Sequence, residues 1–82
     1  MNDSLTVEDR IRNILAENFV TEEDFRLFDA EDELGLDSLS VLKMVSFIEE
    51  EFRVSVEDEE LIPENFSSIG SIRELIEKKI AP

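Results

Sequence analysis

The hexapeptide Leu-Gly-Leu-Asp-Ser-Leu at positions 34–39 constrains the fold most, because it joins a long acidic stretch to a helical pattern. Gly35 suits a tight turn, since it has no Cβ to restrict φ. Asp37 can cap the following helix by accepting from backbone N–H groups of the first turn. Ser38 then lies at the helix N-terminus, where the N–H groups and the dipole favour an anion such as a phosphate. An ordinary helix cap has the same residues, so a modified serine and a plain cap both stay open here.

Apolar spacing predicts an all-α fold, a small four-helix bundle of three longer helices and one short helix. The first helix is expected over Leu5–Phe19 and the second over Ser38–Phe52, with a long loop over residues 20–37 between them. Proline suits the first position of the short helix, Pro63–Phe66. Residues 67–68 then cap the last helix. We expect residues 1–82 to form a single domain with a packed core over about residues 5–80.

The apolar stripes of the three longer helices predict the core. The predicted core positions are Val7, Ile11, Ile14, Leu15, Asn18, Val41, Met44, Val45, Ile48, Phe52, Ile69, Ile72, Leu75, Ile76 and Ile80. Phe25 and Phe28 are expected to turn inward in a single helical turn that starts within residues 21–24. Leu27, Phe28 and Leu34 are expected to hold the long loop against the core. The extended segment 54–56 should place its two valines under the core.

Several polar residues are assigned to helix ends. Thr6 and Asp9 have the spacing of a capping box, with Asp in place of the usual Glu. Glu49 is four residues before Arg53, the spacing of an ion pair along one helix face. Glu50 and Glu51 have no such partner within the helix, at an end where the helix dipole disfavours negative charge.

Composition excludes several classes of site. The chain has neither cysteine nor histidine, which rules out a thiol nucleophile, an imidazole base, a Ser-His-Asp triad and the usual zinc ligands. Residues 29–40 have acidic side chains at the first, third and fifth positions of a calcium loop, but Leu34 stands where the loop requires Gly and Ser40 where it requires Glu. We therefore expect no metal site and no catalytic residues.

The net charge of −14 indicates which partners the chain can meet. Nucleic acids and anionic membranes would be repelled, whereas basic protein surfaces would be attracted and their association steered by charge. No apolar run approaches the ~20 residues of a membrane span, and no signal peptide is visible at the N-terminus. We expect a monomeric cytoplasmic protein.

With Leu-Gly-Leu-Asp-Ser-Leu opening the second helix, the chain resembles the acyl carrier proteins over nearly its whole length. The resemblance rests on Asp-Ser-Leu at 37–39, on Glu-Glu-Glu-Phe at 49–52 and on Leu-Ile-Pro-Glu-Asn-Phe at 61–66. The last segment is more similar to free-standing or secondary-metabolism carriers than to the fatty-acid synthesis type.

The resemblance implies a non-catalytic carrier of acyl groups for fatty-acid or polyketide-type biosynthesis. Ser38 would receive a 4′-phosphopantetheine arm from coenzyme A through a magnesium-dependent phosphopantetheinyl transferase. The arm would end in a thiol that carries the acyl group as a thioester. An aminoacyl or peptidyl carrier of the same fold, and a small acidic helical interaction domain without a prosthetic group, remain as alternatives.

The resemblance also implies that partners bind the second helix. Acyl-activating and acyl-transferring enzymes with basic docking surfaces would meet Asp37, Leu39, Leu42, Glu49 and Glu50. Two residues depart from the fatty-acid type and put recognition by its enzymes in doubt: Lys43 in place of an acidic residue and Ser46 in place of Met. Phe47 is also bulkier than the small residue common at its position, and it is expected to narrow any acyl pocket.

Overall fold

The computed structural model describes residues 6–19 and 24–80, and these contain three α-helices and three short 3₁₀ turns. The helices are α1 (Val7–Asn18), α2 (Ser38–Phe52) and α3 (Ile69–Ile80). The 3₁₀ turns span Phe25–Leu27, Asp58–Glu60 and Pro63–Phe66. No strand occurs in these residues, so the all-α prediction is confirmed.

The first helix begins where its cap residues place it. The Thr6 hydroxyl accepts from the Asp9 N–H at 3.0 Å, and the Asp9 carboxylate accepts from the Thr6 N–H at 3.3 Å. This confirms the capping box; the predicted start at Leu5 lies outside the described residues. Placing Asn18 on the core stripe was wrong, because it is exposed and its amide donates to the Ile14 carbonyl at 2.9 Å.

The core confirms most of the predicted apolar positions. The buried hydrophobic residues are Ile11, Ile14, Leu15, Phe25, Leu34, Met44, Ile48, Phe52, Phe66, Ile69, Ile72, Leu75 and Ile76. Val7, Val41 and Val45 are half-buried and pack against them. The prediction for Ile80 was wrong, since this side chain is 47% exposed. It is the last residue of α3 and lies at the edge of the core.

The long loop is fixed to the helices by side chains and by backbone hydrogen bonds. Phe25 is buried and Phe28 packs on it, with 5.0 Å between the ring centroids. Further along, the Leu34 N–H donates to the Ser67 carbonyl at 2.8 Å, and the Gly70 N–H donates to the Ala30 carbonyl at 2.8 Å. The loop therefore lies across the start of α3, as expected for Phe25, Phe28 and Leu34.

Leu27 is the exception, because 81% of its surface is exposed. Arg12 of α1 donates hydrogen bonds to the carbonyls of Arg26 and Phe28, on either side of it. These contacts hold the turn by its backbone while the leucine side chain points away from the core. The prediction that Leu27 anchors the loop was therefore wrong.

The C-terminal end of α2 also differs from the prediction. Within the described residues no salt bridge joins Glu49 to Arg53; the Glu49 carboxylate instead accepts from the Val56 N–H at 2.9 Å. Arg53 ends the helix in the left-handed conformation, with φ of 57°. Glu51 finds a partner in another helix, Arg10 of α1, at 2.8 Å. The valines of the 54–56 segment pack against the core as expected.

Candidate functional site

The turn before α2 is held by the residues on both sides of Gly35. Leu34 is buried and Leu36 packs against the core, so the chain is fixed before and after the glycine. Gly35 has φ of +69°, a conformation that other residues adopt only with strain. A Cβ at this position would meet no atom within 4 Å, so the backbone conformation, and not lack of space, favours glycine. The turn therefore sets where α2 begins.

Asp37 caps α2 as predicted. Its carboxylate accepts from the Ser40 N–H at 2.8 Å, and its carbonyl accepts from the Val41 N–H at 2.9 Å. The hydrogen bond from the Ser40 N–H, then the Ser40 hydroxyl and more weakly the charge of Lys43, lower the pKa of Asp37. Since Asp37 stays ionised and supplies the cap, the Ser38 hydroxyl is not needed for it.

Ser38 is the first residue of α2, and it is exposed. It borders a cavity of about 300 Å³ between α2 and the segment 61–67. The apolar lining comes from Leu36, Val41, Leu42, Leu61, Ile62, Pro63 and Phe66, and Glu33, Asp37 and Ser67 add polar atoms. An elongated group attached to Ser38 Oγ can lie in this cavity, with its phosphate at the N-terminus of α2. The residues present therefore fit a 4′-phosphopantetheine arm.

The residues expected to recognise partners lie in three different environments. Leu39 and Leu42 are 68% and 56% exposed on α2, and Leu42 also borders the cavity beside Ser38. Glu50 is exposed further along the helix. The carboxylates of Asp37 and Glu49 accept hydrogen bonds from backbone N–H groups of the chain itself.

A second cavity, of about 400 Å³, lies on another side of the turn, between the end of α1 and α2. Its lining includes Asn18, Phe19, Phe25, Gly35, Ser40 and Lys43. Phe47 packs edge-on against Phe19, with 6.2 Å between the ring centroids, and lines neither this cavity nor the one beside Ser38. That Phe47 narrows an acyl pocket stays a prediction.

The lining residues Leu61 and Ile62 were not predicted to be part of a site. They are an apolar pair directly before Pro63, where the short helical turn begins. Ile62 is partly exposed despite its size. The sequence feature that could have indicated a site was an apolar pair directly before a proline that starts a helical turn. That feature does not show which element of the fold faces the pair.

Comparisons with known proteins agree with this geometry. The family model described as "Phosphopantetheine attachment site" matches residues 9–77. The chain is 34% identical over 75 residues to an acyl carrier protein of Akkermansia muciniphila, covering 89% of this chain and 91% of the relative. It is 36% identical over 73 residues to an acyl carrier protein of Thermotoga maritima, covering 87% and 88%. No solved structure matches the chain significantly.

Within the described residues no helix is long and apolar enough to cross a membrane. The family match spans most of the chain and includes all of α2 and most of α1 and α3, together with the cavity beside Ser38. The chain therefore belongs to the acyl carrier protein family, non-catalytic carriers with a covalently attached 4′-phosphopantetheine.

Proposed function

We propose that Ser38 receives the phosphopantetheine arm and that the chain carries acyl groups between enzymes of fatty-acid or polyketide-type biosynthesis. The observation that carries this proposal is the position of Ser38. Its hydroxyl is exposed at the start of α2, free of the capping role that Asp37 fills, and next to the cavity lined by residues 61–63.

Loading is a group transfer that a separate transferase catalyses. Ser38 Oγ attacks the phosphorus next to pantetheine in coenzyme A and forms a new P–O bond. The P–O bond to the nucleotide phosphate breaks and adenosine 3′,5′-bisphosphate leaves, while a base of the transferase takes the serine proton. Ser38 needs no base of its own, which is consistent with a chain that has no histidine.

Once attached, the arm supplies the thiol that this cysteine-free chain lacks, and the acyl group is held on it as a thioester. The side chains of Leu61, Ile62 and Pro63 would contact the apolar part of the arm or its cargo along one wall of the cavity. Val41 and Leu42 would contact it from α2. Because the cavity is partly open to solvent and Ser38 in its lining is exposed, the cargo can leave it when a partner enzyme binds.

Partner enzymes, beginning with the transferase, are proposed to dock on the outer face of α2. Leu39 and Leu42 would supply apolar contacts, and Glu50 a carboxylate that no ion pair engages within residues 6–19 and 24–80. The carboxylates of Asp37 and Glu49 accept hydrogen bonds from backbone N–H groups, and they would also contribute to the attraction of basic surfaces. Monomeric state and a cytoplasmic location stay predictions.

The curated relatives are acyl carriers, which favours acyl over aminoacyl cargo. A carrier of aminoacyl groups would use the same serine and cavity, so intact mass spectrometry of the protein purified from its native cell separates the two by the mass of the cargo.

The assignment of Ser38 is tested by incubating the chain with coenzyme A, Mg²⁺ and a phosphopantetheinyl transferase. We expect the mass of one arm to be added, and peptide mapping to locate it on Ser38. Ser38→Ala should remove the addition and keep the helical circular dichroism, because Asp37 still caps α2. Ser55→Ala, at an exposed serine outside the site, is the matched control and should be loaded normally. Arm addition to the Ser38→Ala variant would reject the assignment.

A further inference from the structure

The charges on α2 are distributed unevenly in a chain of net charge −14. The eleven residues from Ser38 to Ile48 contain one charged side chain, and that side chain is a cation, Lys43. The acids of the helix come only at positions 49–51, roughly 16–20 Å along the axis from Ser38 at 1.5 Å per residue. Beyond the cap residue Asp37, a partner that follows α2 from Ser38 therefore meets a lysine before it meets the carboxylates at 49–51.

Contacts within the fold make this imbalance stronger. Glu51 is paired with Arg10 at 2.8 Å, and Glu49 is half-buried against the Val56 N–H. Lys43 is exposed and takes part in no salt bridge within residues 6–19 and 24–80. Its Nζ lies 5.8 Å from the centroid of the Phe19 ring, within the range of a cation–π contact. That contact positions the charge at the seam between α1 and α2 without neutralising it, and Asp37 is the carboxylate near enough to interact with it.

Lys43 is also part of the apolar docking face. It follows Leu39 by one helical turn and is adjacent to Leu42, and both leucines are more than half exposed. An interface that buries these leucines would also desolvate Lys43. A basic residue of the partner opposite it would then be repelled, whereas an acidic residue would form a charge-assisted pair.

Resting on the proposed function of Ser38, we propose that Lys43 is a specificity-determining residue for partner enzymes. It selects an enzyme whose docking surface has an apolar cleft for Leu39 and Leu42 with an acidic side chain opposite Lys43. It slows enzymes that present a basic residue at that point. The overall charge of the chain attracts basic surfaces in general, and Lys43 discriminates among them at close range.

The first test measures arm transfer by a phosphopantetheinyl transferase with a basic docking surface, at low and at physiological salt. Lys43→Glu should raise kcat/KM several-fold at low salt, and Lys43→Ala should raise it less. Lys78→Glu is the matched control, because it makes the same change in net charge at an exposed lysine in the last turn of α3. We expect it to change the rate less than twofold. Equal effects of the two Glu variants would overturn the proposal, since they would reflect net charge alone.

The second test reverses the basic docking residues of the transferase to Glu, one at a time. One reversal should speed transfer to the wild-type carrier and slow transfer to the Lys43→Glu variant, an inverted coupling that a general charge effect does not produce. If no reversal shows that inversion, Lys43 does not determine specificity. The same assay distinguishes this result from a failure of the proposed function. If only the specificity proposal is wrong, Ser38 is still loaded in every variant; if the proposed function is wrong, no arm is added.

Discussion

Helices α1 and α2 use their polar and charged residues in different ways. On α1, Glu8 pairs with both Arg12 of the same helix and Arg73 of α3, each at 2.8 Å. Arg10 binds Glu51 and lies 4.5 Å from the centroid of the Phe52 ring. On α2, the outer face leaves two leucines and a lysine exposed.

The comparison supports the proposal that partners bind the outer face of α2, since that face takes little part in holding the fold together. Burying a leucine side chain stabilises a fold by about 1.5–3 kcal/mol. Leu39 and Leu42 are exposed and contribute little of this free energy. The ion pairs of α1 connect it to α2, to α3 and, through Arg12, to the turn at Phe25–Leu27. A partner can therefore cover α2 without disturbing the contacts that hold the helices together.

The largest expected effect contrasts a buried residue of α3 with an exposed residue of α2. Ile72 is fully buried, so Ile72→Ala should lower the free energy of unfolding by about 2–5 kcal/mol. Leu39→Ala should change it by less than about 0.5 kcal/mol, because the leucine has little to lose on the surface. Urea unfolding followed by circular dichroism measures both.

The same two variants should show the reverse order in partner binding. Leu39→Ala should weaken binding of the transferase, whereas the folded fraction of Ile72→Ala should be loaded at the wild-type rate. A large loss of stability in Leu39→Ala would contradict the separation of roles between the two helices.

A smaller effect is expected from the ion pairs of α1. Hydrogen bonds from Arg12, and then contacts with Arg73, hold the pKa of Glu8 below its usual value against the opposing effect of burial. Because the pKa of Glu8 is lower in the folded state, folding releases a proton from Glu8 at acidic pH. The contribution of Glu8 to stability is therefore present above the unfolded pKa of about 4.3 and is lost as the pH falls through the folded pKa.

Glu8→Gln should therefore lower the free energy of unfolding by about 1–2 kcal/mol at pH 7, and the difference from wild type should shrink below about pH 4. Glu17→Gln removes the same charge from an exposed position of α1 and serves as the control. Urea titrations at several pH values measure the difference. A deficit that stays constant down to pH 3 would show that Glu8 acts through packing and not through its charge.

The smallest effect concerns the end of α2. Arg53 has φ of 57°, a left-handed conformation that favours glycine. Arg53→Gly should therefore raise the free energy of unfolding by about 0.5–1 kcal/mol, and Arg53→Ala should not, since alanine retains the Cβ. If both variants are equally stable, the strain at position 53 is negligible.

Local signals predicted the helices and most of the core. The capping box of Thr6 and Asp9, the cap at Asp37 and the turn at Gly35 each depend on residues within a few positions of one another. Their chemistry is visible in the sequence for that reason. The apolar stripe of each helix similarly specifies which side is buried. The Asp-Ser-Leu motif, with its resemblance to carrier proteins, indicated Ser38 on the same local basis.

Only the tertiary structure decided which side chains from distant positions meet. Glu51 pairs with Arg10 forty-one positions away, and Arg12 turns Leu27 outward by holding its neighbours. The cavity beside Ser38 exists because the segment 61–67, whose helical turn packs on α3, faces α2, and Lys43 lies over the Phe19 ring at the end of α1. Spacing within one helix specifies the direction of each side chain, whereas the residue that it contacts depends on how the separate helices and loops pack together.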